Sequence, residues 1–146
     1  MDDGGSEGAR LDVAEARTAT GRRRFREVML FDAPPSMTPY VDRGVVDSVF
    51  GELWDRPGLS RRDRRWITLA CVGSAAVDVA IDQHVYAALA SGDISRTEMQ
   101  EFVLHFAYYA GWPRASALER AYAQAVQRID AEERSQEPER GAKHRA

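Results

Sequence analysis

The chain has 146 residues, of which 44% are hydrophobic and 29% are charged, so it can bury one hydrophobic core, and disorder is not expected outside its ends. Its 20 basic and 23 acidic residues give a net charge of −3, which excludes a sequence-wide attraction to nucleic acid or to an anionic membrane. The single cysteine, Cys71, excludes an intramolecular disulfide, a paired-thiol redox centre and a cysteine-cluster zinc site.

Both ends of the chain are polar. Residues 1–9 are rich in glycine and acidic side chains, and residues 134–146 are charged, so we predict two disordered tails around one helical domain over residues 10–133. The acidic N-terminus lacks the regions of a signal peptide, and no apolar run approaches the roughly 20 residues that span a bilayer. We therefore expect a cytoplasmic protein without a membrane partner.

Two helices are predicted before residue 60. Apolar residues between Arg10 and Leu30 indicate the first, although Gly21 weakens it. Thr38 and Pro39 have the cap-then-proline form of a helix start. The apolar residues of this second helix keep the i, i+3, i+4 spacing of an α-helix, and they are Val45, Val46, Val49, Phe50, Leu53 and Trp54.

A third helix is predicted to begin after Ser60. Ser60 and Asp63 form a Ser-x-x-Asp relative of the capping box, in which a hydroxyl and a carboxylate satisfy amide donors of the first turn. The apolar run that follows contains Cys71, whose thiol we expect to be buried as a small hydrophobe.

The fourth helix carries a histidine on its apolar face. The residues of this face are Val77, Ile81, His84 and Ala88, at spacings of four, three and four. Asp78 and Asp82 lie beside the face and are expected to be solvated surface residues.

Two further helices complete the predicted fold. Residues 95–98 (SRTE) form a full capping box, and Ile94 and Met99 are placed as a hydrophobic staple. Gly111 ends this helix, and Pro113 suits the first turn of the last one. No segment shows sustained period-two alternation, so the sequence predicts an all-α domain of about six helices.

His84 is the candidate from which function is argued. An imidazole on an apolar face must either find a buried hydrogen-bond partner or line a cavity that admits a ligand. Because imidazole titrates near neutrality, the second alternative makes His84 a general acid or base. No metal-ligand spacing accompanies His84 and His105. Glu52 is either an outward-facing residue or a carboxylate that orients an imidazole, and the residues alone leave these alternatives open.

Residues 51–64 (GELWDRPGLSRRDR) and 68–70 (TLA) resemble the carboxymuconolactone decarboxylase family. The resemblance extends over about residues 20–130. It implies a helical fold of the alkyl hydroperoxidase D-like type that assembles as trimers or hexamers. It also implies a decarboxylase-type enzyme that acts without a cofactor on a small carboxylated lactone or a related organic acid. The matching segments farther along the chain are His84 with Val85, residues 92–99 and residues 109–113.

The resemblance also implies roles for single residues. His84 would be the general acid or base, Glu52 would orient it, and His105 would bring a second titratable group to a position where the family usually has glutamine. No metal is implied. The residues implied in substrate binding are Trp54, Arg64 and Tyr109.

Two departures from the family pattern bear on the activity. Members with a redox site carry Cys-x-x-Cys-x-x-x-His, but here the cysteine positions are Val77 and Ala80, so a thiol peroxidase would have no nucleophile. The decarboxylases resemble Glu-Leu-Arg-x-His around the histidine, whereas residues 80–84 read AIDQH, with Asp82 at the arginine position. The substrate is therefore left open, and the alternative is a non-catalytic helical oligomer or ligand-binding module of the same fold.

Overall fold

A computed structural model describes the backbone of residues 4–35 and 37–143 and the side chains of residues 8–35 and 37–136. The described residues contain six helices and no strand, which confirms the predicted all-α class. They group into two compact units, Met1–Arg64 and Arg65–Ala146. In chain order the helices are α1 (Gly4–Met29), a π-helix (Tyr40–Leu53), α2 (Arg61–Ala75), α3 (Asp78–Ala90), α4 (Arg96–Ala110) and α5 (Trp112–Lys143).

The terminal helices extend into both segments for which tails are predicted. α1 begins at Gly4, and α5 continues to Lys143 through Pro138 and Gly141, two residues that disfavour a helix interior. The outermost predicted tail residues, 1–3 and 144–146, lie outside the described residues. In the described part of the chain, no helix combines the length and the apolar character needed to cross a membrane.

The first unit packs α1 against the π-helix through an aromatic core. Phe25 meets Phe50 edge to face, with ring centroids 4.8 Å apart, and Phe50 stacks on Trp54 at 5.8 Å. Val28 and Met29 are buried in the same cluster. Aromatic rings bury large apolar areas, so this cluster holds the two helices together.

The second helix is a π-helix rather than the predicted α-helix. The Trp54 N–H donates to the carbonyl of Val49, five residues back, at 2.9 Å. The wider turn brings residues four apart onto one face, so Val46, Phe50 and Trp54 are buried. Val49 and Leu53, which the sequence places in the apolar stripe, are exposed, and the predicted spacing is wrong at these two positions.

Glycine is required where α1 approaches the π-helix. A Cβ atom at Gly21 would lie 2.1 Å from the carbonyl oxygen of Val46, and one at Gly51 would lie 2.8 Å from that of Arg17. Both distances are too short for non-bonded atoms. Gly21, which weakens the sequence prediction of the first helix, is thus explained by backbone packing.

The second unit is built around α5, on which α3 and α4 pack. Its core draws a fully buried side chain from each of four helices. These residues are Leu69 of α2, Ile81 of α3, Met99 of α4 and Leu118 of α5. The apolar faces predicted for these helices therefore meet in one core, except at Val77, which is 51% exposed and lies just before α3.

Both predicted helix starts with a capping serine are present. The Ser95 hydroxyl accepts from the Glu98 N–H at 3.2 Å, and the Glu98 carboxylate accepts from the Ser95 N–H at 2.9 Å. At the start of α2, the Ser60 hydroxyl accepts from the Asp63 N–H at 3.1 Å and donates to the Asp63 carboxylate at 2.7 Å. These bonds satisfy amide donors that an uncapped helix would leave without partners.

Cys71 is exposed, so the prediction of a buried thiol is wrong. The reason is its position on α2 relative to Leu69, which is fully buried. Two residues along an α-helix correspond to a rotation of about 200°, which places Cys71 on the opposite side from Leu69.

We expect Gly21→Ala to lower the free energy of unfolding by about 1–3 kcal/mol, because the added methyl group would overlap the Val46 carbonyl. Gly44→Ala is the matched control, since a Cβ atom there meets nothing within 4 Å. It should leave stability unchanged or raise it by up to about 1 kcal/mol. Urea unfolding followed by circular dichroism would measure both, and equal effects of the two substitutions would contradict the close approach.

Candidate active site

His84 lies in the middle of α3 and shares a face with Ile81 and Ala88, both fully buried. Its own side chain is half-buried. Within the described part of the chain, the imidazole makes no hydrogen bond and no ring contact. Among the described residues, His84 is therefore not a core histidine held by a buried hydrogen-bond partner.

The imidazole of His84 is neutral at physiological pH. Burial lowers its pKa from 6.5 to about 4, and the positive charge of Arg65 contributes to the same shift. A neutral imidazole has one nitrogen that donates an N–H and one that accepts a proton. His84 can therefore act as a base or as a hydrogen-bond donor without first losing a proton.

Arg65 is a buried cation that the sequence reasoning did not single out. Only 1% of its surface is exposed, and its Nε donates to Oδ2 of Asp93 at 2.6 Å. Its Nη2 donates to the Ser91 hydroxyl at 3.2 Å. Both acceptors lie in the turn between α3 and α4, so Arg65 ties the first turns of α2 to the end of the helix that carries His84.

Asp78 and Asp82 form a link between α3 and α5. Arg120 of α5 lies 3.2 Å from the Asp78 carboxylate and 3.0 Å from that of Asp82. Asp78 is largely exposed, as expected of a surface residue, whereas Asp82 is partly buried beside the shared arginine. Asp82, which stands where the pattern of the family decarboxylases has arginine, therefore forms an ion pair with Arg120 of α5.

His105 and Tyr109 are brought together on α4, one turn apart. Their ring centroids are 4.7 Å apart, and their planes differ by 15°. Both side chains are exposed, and His105 lines an open cleft of about 430 Å³ with Trp66 and Phe102. No hydrogen bond or ring contact joins His105 to His84, so the two predicted catalytic histidines are not directly paired.

Three predicted site residues belong to the first unit. Glu52 is exposed on the π-helix and makes no hydrogen bond or ion pair with a described residue, and Trp54 is buried in the aromatic core. Arg64 is 8% exposed, and its Nη2 donates to the Arg56 carbonyl at 2.8 Å. Its buried Nε meets no acceptor among the described residues, so Arg64 holds the turn before α2 and retains one unused donor.

The site residues that the structure describes form no metal centre. Within the described ranges, no three His, Cys, Asp or Glu side chains come together as metal ligands would.

A family model described as the carboxymuconolactone decarboxylase family matches residues 39–124, which is more than half of the chain. The match runs from the residue before the π-helix into α5 and includes His84. The chain therefore belongs to this family, and the resemblance seen in the sequence is confirmed.

Two curated relatives are decarboxylases. The chain is 34% identical over 68 residues to 4-carboxymuconolactone decarboxylase of Acinetobacter baylyi. This aligned segment covers 47% of the chain and 50% of that protein. The chain is also 32% identical over 79 residues to nitrosuccinic acid decarboxylase of Metarhizium robertsii. Here the aligned segment covers 52% of the chain and 54% of that protein. The chain thus spans about half the length of the curated relatives it matches. No solved structure shows a significant match.

Replacement of His84 should flatten the pH dependence of stability. The folded pKa of about 4 lies below the unfolded value, so the unfolded chain binds more protons between pH 4 and 6.5, and stability rises with pH in that window. His84→Gln should remove this contribution, as judged by urea unfolding at several pH values from about 4.5 to about 7. Gln83→Ala, a neighbouring exposed change without a titrating group, should keep the wild-type slope. An unchanged slope in His84→Gln would contradict the lowered pKa.

Proposed function

We propose that the protein is a decarboxylase of a small carboxylated lactone or related organic acid, with His84 as general acid or base and without a cofactor. Family membership and two decarboxylase relatives support the reaction class. The observation that carries the proposal is the half-buried, neutral imidazole of His84, which has no hydrogen-bond partner among the described residues. Such a group can turn to a bound ligand.

The reaction class defines what His84 has to do. Loss of CO₂ from a carboxylate leaves the electron pair on the neighbouring carbon, where an adjacent carbonyl or nitro group delocalises it. The carbon must then take up one proton for each CO₂ released. The N–H of a neutral imidazole can stabilise the developing negative charge through a hydrogen bond, and the other nitrogen can take up a proton and pass it to carbon.

The other site residues keep their sequence-derived roles within this proposal. The resemblance assigns to Glu52 the role of orienting the imidazole, and His105 would supply a second titratable group. Arg64 retains one buried donor, and guanidinium donors suit a carboxylate. Tyr109, which is 83% exposed, can offer aromatic surface to a small organic ligand, whereas Trp54 is buried in the aromatic core of the first unit.

Turnover assays would test the proposal directly. The purified protein should release CO₂ from 4-carboxymuconolactone or from nitrosuccinate, and His84→Gln should lower kcat by about 10²–10⁴-fold. Cys71→Ser should leave kcat unchanged, because the exposed thiol has no role in this chemistry. Unchanged turnover in His84→Gln would remove the assigned role, and no turnover of either acid by the wild type would favour the non-catalytic alternative.

Assembly and location stay predictions of the sequence. Trimers or hexamers in the cytoplasm are proposed, and the assembly is supported by large apolar side chains exposed on three helices of the second unit. Ile67 of α2 is 52% exposed, Leu104 of α4 is 47% exposed and Trp112 of α5 is 63% exposed. Burial between chains would remove such surface from water. Sedimentation equilibrium should give three or six times the mass of one chain, and the mass of a monomer would contradict the assembly.

A further inference from the structure

We propose that the groove between α4 and α5 binds a small organic ammonium ion with an aromatic body. The groove lies within the second unit and has a volume of about 340 Å³. Ligand pockets in proteins typically have volumes of about 300–1,000 Å³, so a small molecule fits. None of the residues assigned to decarboxylation lines the groove, and the inference therefore goes beyond the proposed function.

The apolar part of the groove is formed by one face of each helix. Val103 and Ala107 of α4 and Ala115 of α5 are buried, whereas Leu104 and Trp112 are exposed. Two of the three buried positions are alanines, whose small side chains leave space that a larger residue would fill. The groove is thus an apolar cavity between two packed helices.

The polar side chains of the groove are negative or accept hydrogen bonds. Glu119 is exposed and makes no hydrogen bond or ion pair with a described residue. The Ser116 hydroxyl donates to the Trp112 carbonyl at 3.0 Å, so its oxygen can only accept from a ligand. The side-chain nitrogen of Gln100 donates to the Tyr122 hydroxyl at 2.8 Å, which leaves the amide oxygen as an acceptor.

The charge of the groove therefore selects the ligand. Among the described residues that line it, none is arginine, lysine or histidine. The carboxylate of Glu119 attracts a cation that donates hydrogen bonds, and it repels a carboxylate. This preference is opposite to that of the decarboxylase substrates, which are anions.

The two ends of the groove on α5 differ in chemistry. Trp112 and Glu119 are seven residues apart, close to two helical turns, so they share a face of α5 and are separated by about 10 Å along its axis. The indole ring is 63% exposed and lies 5.9 Å from the ring of Tyr108. An aromatic ring packed on Trp112 and an ammonium group paired with Glu119 would use both ends.

A second copy of the chain is the competing occupant of the groove. Leu104 and Trp112 also belong to the exposed apolar surface that supports the proposed assembly. Glu119 favours the ammonium ion, because a carboxylate covered by an apolar surface would lose its hydration without gaining a partner.

NMR titration of ¹⁵N-labelled full-length protein with 4-phenylbutylammonium would test the proposal. The amide signals of Ser116 and Glu119 and the indole signal of Trp112 should shift. The anion 5-phenylpentanoate, which has the same ring and the opposite charge, should bind at least about tenfold more weakly.

Substitutions would assign the contacts. Glu119→Gln should weaken binding of the ammonium ion by about two- to fivefold, and Trp112→Ala by about tenfold. Ser116→Leu should abolish binding, because the larger side chain would fill the groove from an exposed position. Glu101→Gln is the matched control: it removes an exposed carboxylate of α4 that lines the other cleft, beside Trp66, and should leave the affinity unchanged.

Three results would overturn the inference. Equal affinity for the ammonium ion and the carboxylate, or unchanged affinity in Glu119→Gln, would remove the role of charge. Full affinity in Ser116→Leu would place the ligand elsewhere. Groove signals that do not respond to the probe, together with a lower mass of Trp112→Ala in sedimentation equilibrium, would make the groove a contact between copies of the chain.

Discussion

The buried ion pair between Arg65 and Asp93 is the interaction on which the second unit's candidate site depends. Their side chains are 1% and 13% exposed, and they come from positions 28 residues apart. A buried guanidinium is tolerated only when it is paired, and removal of one partner from such a pair typically costs about 3–5 kcal/mol. The pair therefore fixes the start of α2 against the turn that ends α3.

The parts of the fold that could be predicted from the sequence are those whose causes are local. The capping box at Ser95 and its relative at Ser60 join residues three positions apart, so all the interacting groups lie within four consecutive residues. The apolar face of α3 follows from helical periodicity, and it placed His84 beside Ile81 and Ala88, as the structure does. The all-α class follows from several such signals that agree with one another.

The parts that could not be predicted depend on contacts between distant residues. An α-helix and a π-helix differ by one residue in each hydrogen bond, and the choice at Val49 and Leu53 depends on how the helix packs on α1. Cys71 has apolar neighbours on both sides in the sequence, so the sequence does not show whether its side chain points into the core or toward solvent. Four arginines lie within residues 61–65, and their sequence does not say that Arg65 finds its partner 28 residues later.

The charges around His84 are distributed differently from the pattern that the decarboxylases of the family show around this histidine. With a pKa of about 4 the imidazole is neutral at pH 7, so as a general acid His84 would first have to take up a proton. Asp82 occupies the family's arginine position and is paired with Arg120, so it presents no cation there. Burial is the larger cause of the lowered pKa of His84, and the positive charge of Arg65 on α2 is the smaller one.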